Sequence, residues 1–354
     1  MAPRVPTLTL VALTSACLPT LPPAWLIDDP RVLAIRTDVI AAGPLAPPLA
    51  DDPPDRTRSE ALPGDTIRLT PIVTDHDGLV DLAPVAPLWL RCRDDCLDDL
   101  AQMLENGALA DGLDLCALRP KRRVCIAATG APADVLVDPA WDFTGDDVRI
   151  GIPGIPFLMI AGSPAADLSA DTCLERLLAT PTGDLLDCFI VQRTLPIGPD
   201  GTAYEALPKK LDPPAVPPAE ATPNHNPEPE RFRVTIDGVA REALSGATLD
   251  VRPGATIRVE LLVDPRDQET FLDIPGNLPT EEVLRGTWYA TAPIYEGTTL
   301  PRDLDHTWTA PGTLAGRTVD EHIILRESTE GRGSAGRGSA THGWLRWRIG
   351  ELDG

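Results

Sequence analysis

The chain has 354 residues, 43% of them apolar and 24% charged, which supplies enough apolar surface for folded cores and more length than one ordinary core uses. A formal charge of −22 argues against a phosphate-binding surface and against a basic patch on a membrane, so nucleic acid is not an expected partner. With 39 prolines and 28 glycines, long helices are disfavoured, no stretch of about 18 apolar residues occurs, and a mainly β, loop-rich class is expected.

In chain order, Met1–Ala16 carries one early charge at Arg4, an apolar run from Val5 to Leu13, and the small residues Thr14-Ser15-Ala16 before Cys17. That is the layout of a secretory signal. A cysteine directly after a small-residue cleavage site resembles the bacterial lipobox, in which the thiol is acylated before the signal is removed. Here Thr14 stands where leucine is usual and Leu13 lies one place further out. The expectation is a signal peptide over 1–16, a lipid on Cys17 and a tether over 17–28, with attachment to a membrane through that lipid. In the lipoprotein systems this resembles, an aspartate after the cysteine holds the protein at the inner membrane. Leu18 occupies that place, so the outer membrane is expected.

Setting Cys17 aside leaves Cys92, Cys96, Cys116, Cys125, Cys173 and Cys188, an even six confined to one half of the chain. In an oxidising compartment these read as disulfides. Cys173 and Cys188 form the pair easiest to argue, since Cys173–Leu178 has helical character and returns through Pro181-Thr182-Gly183. The other four leave three connectivities open. Two C-x-x-C motifs would suggest zinc, but the spacings here are Cys92-x3-Cys96 and Cys116-x8-Cys125 with no histidine between, so neither a metal nor a cofactor is expected.

The first strand signal is Arg31–Asp38. Pro63-Gly64 then precedes the alternating run Thr66–Val73, and Pro253-Gly254 precedes a matching run, Thr256–Val263, at a constant offset of 190 residues. A strand opening with arginine lies ahead of each run, at Arg31 and Arg231, and tryptophan strands lie behind, at Trp89 and Trp288. Further tryptophans follow at Trp141 and Trp308. An ordered series of this kind argues for two copies of one module, each a sandwich filled by indole. The copies are placed at 29–195 and 231–354, with a proline-rich, semi-rigid linker at 196–230. Module one is longer by a cysteine-rich insertion, helical over Asp94–Leu104. Its later strands are expected at Val148–Ile152, Phe157–Ala161 and Leu186–Gln192. Module two closes with His322–Glu327 and Trp344–Ile349 around a Gly/Ser-rich tip.

The lipobox-like Cys17, Arg31-Val32-Leu33-Ala34-Ile35, the Pro-Gly strand, Asn224-His225-Asn226-Pro227, Thr287-Trp288-Tyr289-Ala290 and Thr307-Trp308-Thr309-Ala310-Pro311 together resemble a family of bacterial envelope lipoproteins. The resemblance spans most of the chain thinly and implies immunoglobulin-like β-domains with no assigned activity. It implies no functional residue beyond the acylated cysteine.

Catalytic signals are weak. Gly331–Gly336 contains G-x-G-x-x-G, but Arg337–Gly343 is hostile to the helix a dinucleotide site requires. Ser334 lacks the glycine of a nucleophile elbow, since Arg332 precedes it. Asp94, Asp95, Asp98 and Asp99 read as a solvated helix face, and the histidines at 76, 225, 306, 322 and 342 as scattered surface or turn residues. Asp75-His76-Asp77-Gly78 alternates carboxylates as calcium loops do but lacks a downstream bidentate glutamate, so a tight turn is expected. The leading expectation is a non-catalytic interaction or scaffold protein of the envelope, with an envelope protein or a glycan as partner. The alternatives are a carbohydrate- or calcium-binding module and an extracytoplasmic hydrolase.

Overall fold

The computed structural model describes residues 23–43, 56–109, 112–141, 154–179, 185–197, 224–273, 278–281, 283–296, 301–328 and 340–351. The expected strand at Val148–Ile152, the Gly/Ser-rich tip, the proline run at 211–220, and Cys17 with its signal all lie outside them.

The first module begins with β1 (Arg31–Ala41), β2 (Thr66–Asp75) and the two-residue β3 (Gly78–Leu79). It continues through β4 (Leu88–Cys92), α1 (Cys96–Glu105), β5 (Val124–Thr129), β6 (Ala133–Leu136), β7 (Gly154–Gly162), α2 (Ala170–Ala179) and β8 (Cys188–Pro196). One sheet has β2 between β1 and β6, with β3 at the end of β2, and the other runs β5-β4-β7-β8. Period-two alternation aims Ile67, Leu69 and Val73 of the first sheet and Trp89, Phe157 and Met159 of the second into one core. Trp141 lies edge-on to Phe157 in that core.

The second module comprises β9 (Arg231–Ile236), β10 (Val239–Leu244), β11 (Thr248–Val251), β12 (Thr256–Leu262), β13 (Thr270–Asp273), β14 (Leu278–Glu281), β15 (Val283–Ala290), β16 (Asp305–Thr309), β17 (Thr318–Ser328) and β18 (Ala340–Ile349). Its two main sheets run β10-β9-β12-β16 and β11-β18-β17-β15, and β13 and β14 form a separate hairpin. Phe232, Val234, Ile257 and Val259 from the first sheet meet Trp288, Ile323, Leu345 and Trp347 from the second.

The repeat read from the Pro-Gly strands extends to their hydrogen bonds. Gly64 and Gly254 both take positive φ, 98° and 79°, which a side chain would strain. Gly64 N donates to Val137 O at 2.7 Å, and Gly254 N donates to Ala310 O at 2.8 Å. β2 lies antiparallel to β1 and β6, as β12 does to β9 and β16. Ala61 pairs in parallel with Ile197 and Val251 with Ile349, so each copy closes on its last strand in the same way. Trp89 Nε1 donates to Gly130 O and Trp288 Nε1 to Asp303 O, at 2.9 and 2.7 Å.

The copies differ in what covers the outer face of the second sheet. In module one, α1 and α2 bury Leu88, Leu90, Leu158 and Ile160 against Leu100, Met103 and Leu177. The helix expected at Asp94–Leu104 is α1, with Asp95 as N-cap accepting from Leu97 N and Asp98 N. All six cysteines are paired: Cys92–Cys96, Cys116–Cys125 and Cys173–Cys188, with Cα separations of 5.2, 4.9 and 5.7 Å. The four that spacing left open therefore join neighbours along the chain. Breaking the longest loop with Cys173→Ser and Cys188→Ser should cost about 3 kcal/mol through unfolded-state entropy, read as a lower urea midpoint. A midpoint unchanged within error would show that this bond is not made.

Candidate functional site

The outer face of the second module's β17–β18 is covered by the first module. Leu33 and Ala34 of β1, Ile72 of β2 and Ile27 pack with Ile324 and Ala340 in one buried cluster. A Cβ on Gly78, which opens β3 directly after the His76-Asp77 turn, would meet Asp320 Oδ2 at 2.8 Å, so the β2–β3 hairpin closes on the other end of the same face. Arg326 donates to Leu33 O at 3.0 Å across the seam.

Two segments read from sequence as connectors are packed instead. In part of the expected tether, Trp25 and Ile27 are buried, and the segment adds to the edge of β15. Ile27 N donates to Ala290 O at 2.8 Å, Ala290 N donates to Trp25 O at 3.0 Å, and the Trp25 ring stands edge-on to Tyr295 at 5.1 Å. The physical reason is an open β15 edge beside an apolar pocket that a large indole fills. The proline-rich linker placed at 196–230 is also structured at both ends: Pro196 ends β8, Ile197 is buried in the first core, and Asn224, His225 and Asn226 are buried.

The Asn224-His225-Asn226 segment bonds the modules together. Asn226 Nδ2 donates to Thr37 O at 2.7 Å and to Asp38 Oδ1 at 2.9 Å, and Asn226 N donates to Thr57 O at 2.8 Å. His225 Nδ1 lies 2.6 Å from Glu269 Oε1, which Arg56 also approaches at 3.3 Å, and Arg56 pairs with Asp267. Arg36 Nη2 donates to Glu228 Oε1 at 2.8 Å. Burial raises the Asp267 carboxyl above its ordinary value, against the pull of Arg56.

Within the second core, Glu321 is fully buried and accepts from three side chains. Tyr295 Oη donates to Oε1 at 2.5 Å, His306 Nε2 lies 2.6 Å from the same oxygen, and Trp347 Nε1 donates to Oε2 at 2.9 Å. Burial, then Glu321, holds the Tyr295 phenol well above its usual range. The registers Leu69 to Ala133 and Val259 to His306 make Ala133 the counterpart of His306. Likewise Phe157 matches Glu321, two residues from the partners of Trp89 and Trp288. Module one thus fills with alanine and phenylalanine what module two fills with an ionisable pair.

Four of the five histidines are therefore packed, which corrects the reading of them as scattered surface residues. His225, His306 and His322 are at most 9% exposed, and His342 Nε2 lies 3.0 Å from His322 Nδ1. Isolated histidines without ligand spacing carry no sequence signal of this; the repeat register, aligned strand by strand, does. His76 alone stays in an exposed turn, where Asp75, His76 and Asp77 bring one ligand atom each within 4.8 Å of the others.

Of the acidic run, Asp95 caps α1 and Asp99 is buried, accepting from Arg93 N and Asp94 N at 2.9 Å and from Arg123 at 2.8 Å. They are structural. Asp94 and Asp98 line, with Gln102, Arg123 and Gln192, a cleft of about 390 Å³ beside β7 and β8.

The two facing-sheet cores, with a buried seam between them, define a mainly β protein of two repeated sandwich-like modules. No family model matches the chain, and no curated protein does. A solved structure described as a nucleoside hydrolase-related hypothetical protein from Saccharophagus degradans, associated with carbohydrate metabolism, is similar at 11% identity and a TM-score of 0.23. The likeness covers 42% of this chain and 29% of that one, and at that level it carries no functional information.

Proposed function

We propose that this is an exported, lipid-anchored envelope protein that acts by binding rather than turnover, presenting two immunoglobulin-like modules as one docked body to an envelope protein or a glycan. The observation that carries the reading is the pairing of all six cysteines beyond Cys17, because disulfides persist in oxidising compartments. Acylation at Cys17 and residence at the outer membrane follow from the lipobox-like segment and Leu18. A strongly acidic surface fits a partner met through polar contacts and not through phosphates.

Intact mass of the protein extracted from membranes tests this directly. The expected species lacks residues 1–16, carries acyl mass on Cys17 and is six hydrogens lighter than the reduced chain. Recovery from the cytoplasm with Met1 attached and seven free thiols would refute it.

The cleft over α1 favours a second reading, a site for calcium or a glycan, since Asp94 and Asp98 offer oxygens beside an arginine and two amides. Calcium should then raise the melting temperature, and Asp94→Asn with Asp98→Asn should abolish the rise. An unchanged melting temperature together with silence on a glycan array would remove this reading.

A further inference from the structure

On the covered face of β17–β18, His322 and His342 sit where module one has apolar side chains. Register equates His322 with Leu158 and His342 with Ile190, because Leu158 pairs Gln192 and Ile160 pairs Ile190 as His322 pairs Trp344 and Ile324 pairs His342. His322 has no exposure, and its Nε2 has no partner among the described residues. On either side of it, Asp320 meets the Gly78 turn and Ile324 meets Leu33, Ala34 and Ile72, so the pair lies under the first module. Charged and titratable groups beside it on its own sheet, among the described residues, include Arg346, Asp320, Arg326 and Tyr289, the strand partner of His322. The first module adds the Asp75-His76-Asp77 turn at the rim. Asp320 is already taken by Arg346 through two contacts of 2.6 Å. A proton added to the pair therefore meets a guanidinium and no free carboxylate among these groups on its own sheet. By contrast, His225 faces Glu269 and His306 faces Glu321.

We propose that the His322–His342 pair makes docking of the two modules acid-sensitive: a proton taken up there releases the first module from the β17–β18 face while each module stays folded. Burial, then Arg346, lowers His322 from 6.5 to about 4, and burial, then His322, lowers His342 to about 3. Below about pH 6.5 the undocked state then binds more protons than the docked one. Docking strength present at neutral pH begins to be lost as the pH falls below about 6.5, above the range in which ordinary carboxylates titrate, and the loss continues toward those midpoints.

The test uses the full chain with Ala34→Cys, a small change at a seam position that is 7% exposed. Maleimide labelling of that thiol, normalised to a peptide thiol, is followed from pH 7.5 to 5.2, with near-UV circular dichroism reporting the cores. The expected result is a rise on the order of a hundredfold with the cores intact, nearly abolished by His322→Leu with His342→Ile, the residues of module one. An equal rise in that variant, or no rise in the parent, overturns the proposal. Should the variant fail to fold, deuterium exchange at the imidazole C2 in the parent decides: midpoints far below about 6.5 for the pair support the proposal, and midpoints near 6.5 in the docked protein sink it. Export is not assumed, so this result and the Cys17 mass measurement can fail separately.

Discussion

Glu321→Leu should destabilise the protein by about 3–5 kcal/mol, the usual cost of removing one partner from a buried charged network. The leucine would leave Tyr295 Oη, His306 Nε2 and Trp347 Nε1 without the acceptor they share. The informative comparison is the double exchange Glu321→Phe with His306→Ala, which copies Phe157 and Ala133 of the first module. One side chain grows and the other shrinks, so volume is roughly kept, and a well-packed apolar replacement of a buried pair is often neutral or better. The double variant should recover at least half of the loss, although Tyr295 and Trp347 still lose their acceptor. Urea unfolding followed by tryptophan fluorescence reads both; a single-variant cost under about 1 kcal/mol would show that the network does not hold the second core.

Trp25→Ala should cost a similar amount, about 3–5 kcal/mol, because a fully buried indole is lost and its pocket cannot collapse against the rigid β15 edge. The effect should be local. Amide exchange at Ile27 and Ala290, whose bonds tie the segment to β15, should accelerate far more than exchange in β12 or β17. Trypsin should gain access at Arg31, which in the native chain bonds Ala24 O. Uniform acceleration across both modules would mean instead that the segment is integral to the fold and not an added edge strand.

Both experiments concern places where module two departs from its copy. Module one covers its second sheet with two disulfide-pinned helices, and module two covers the equivalent face with module one itself. This explains why β1 and β2 bury residues on both faces: Ile35, Ile67 and Val73 point inward, and Leu33 and Ile72 point to the seam. A sheet solvated on one face would alternate polar and apolar residues cleanly, and the Leu33-Ala34-Ile35 run breaks that pattern. The sequence holds that deviation, but periodicity alone cannot say which element lies on the second face.

The sequence by itself determined the mainly β class, the duplicated Pro-Gly strand with its tryptophan strands, the two short helices and the Cys173–Cys188 pair. These rest on local rules: glycine at positive φ, period-two burial, helix capping and loop length. Only the tertiary structure decided that Trp25 and Asn226 are clamps inside segments rich in proline, that the remaining four cysteines pair with near neighbours, that His322 is buried, and that His306 and His342 pack against Glu321 and His322. Apart from the cysteines, which pair 4 and 9 residues apart, these depend on which surfaces meet after the chain has travelled as far as 293 residues, from Leu33 to Arg326. Such contacts are selected by shape and desolvation in the assembled body, and no spacing along one strand encodes them.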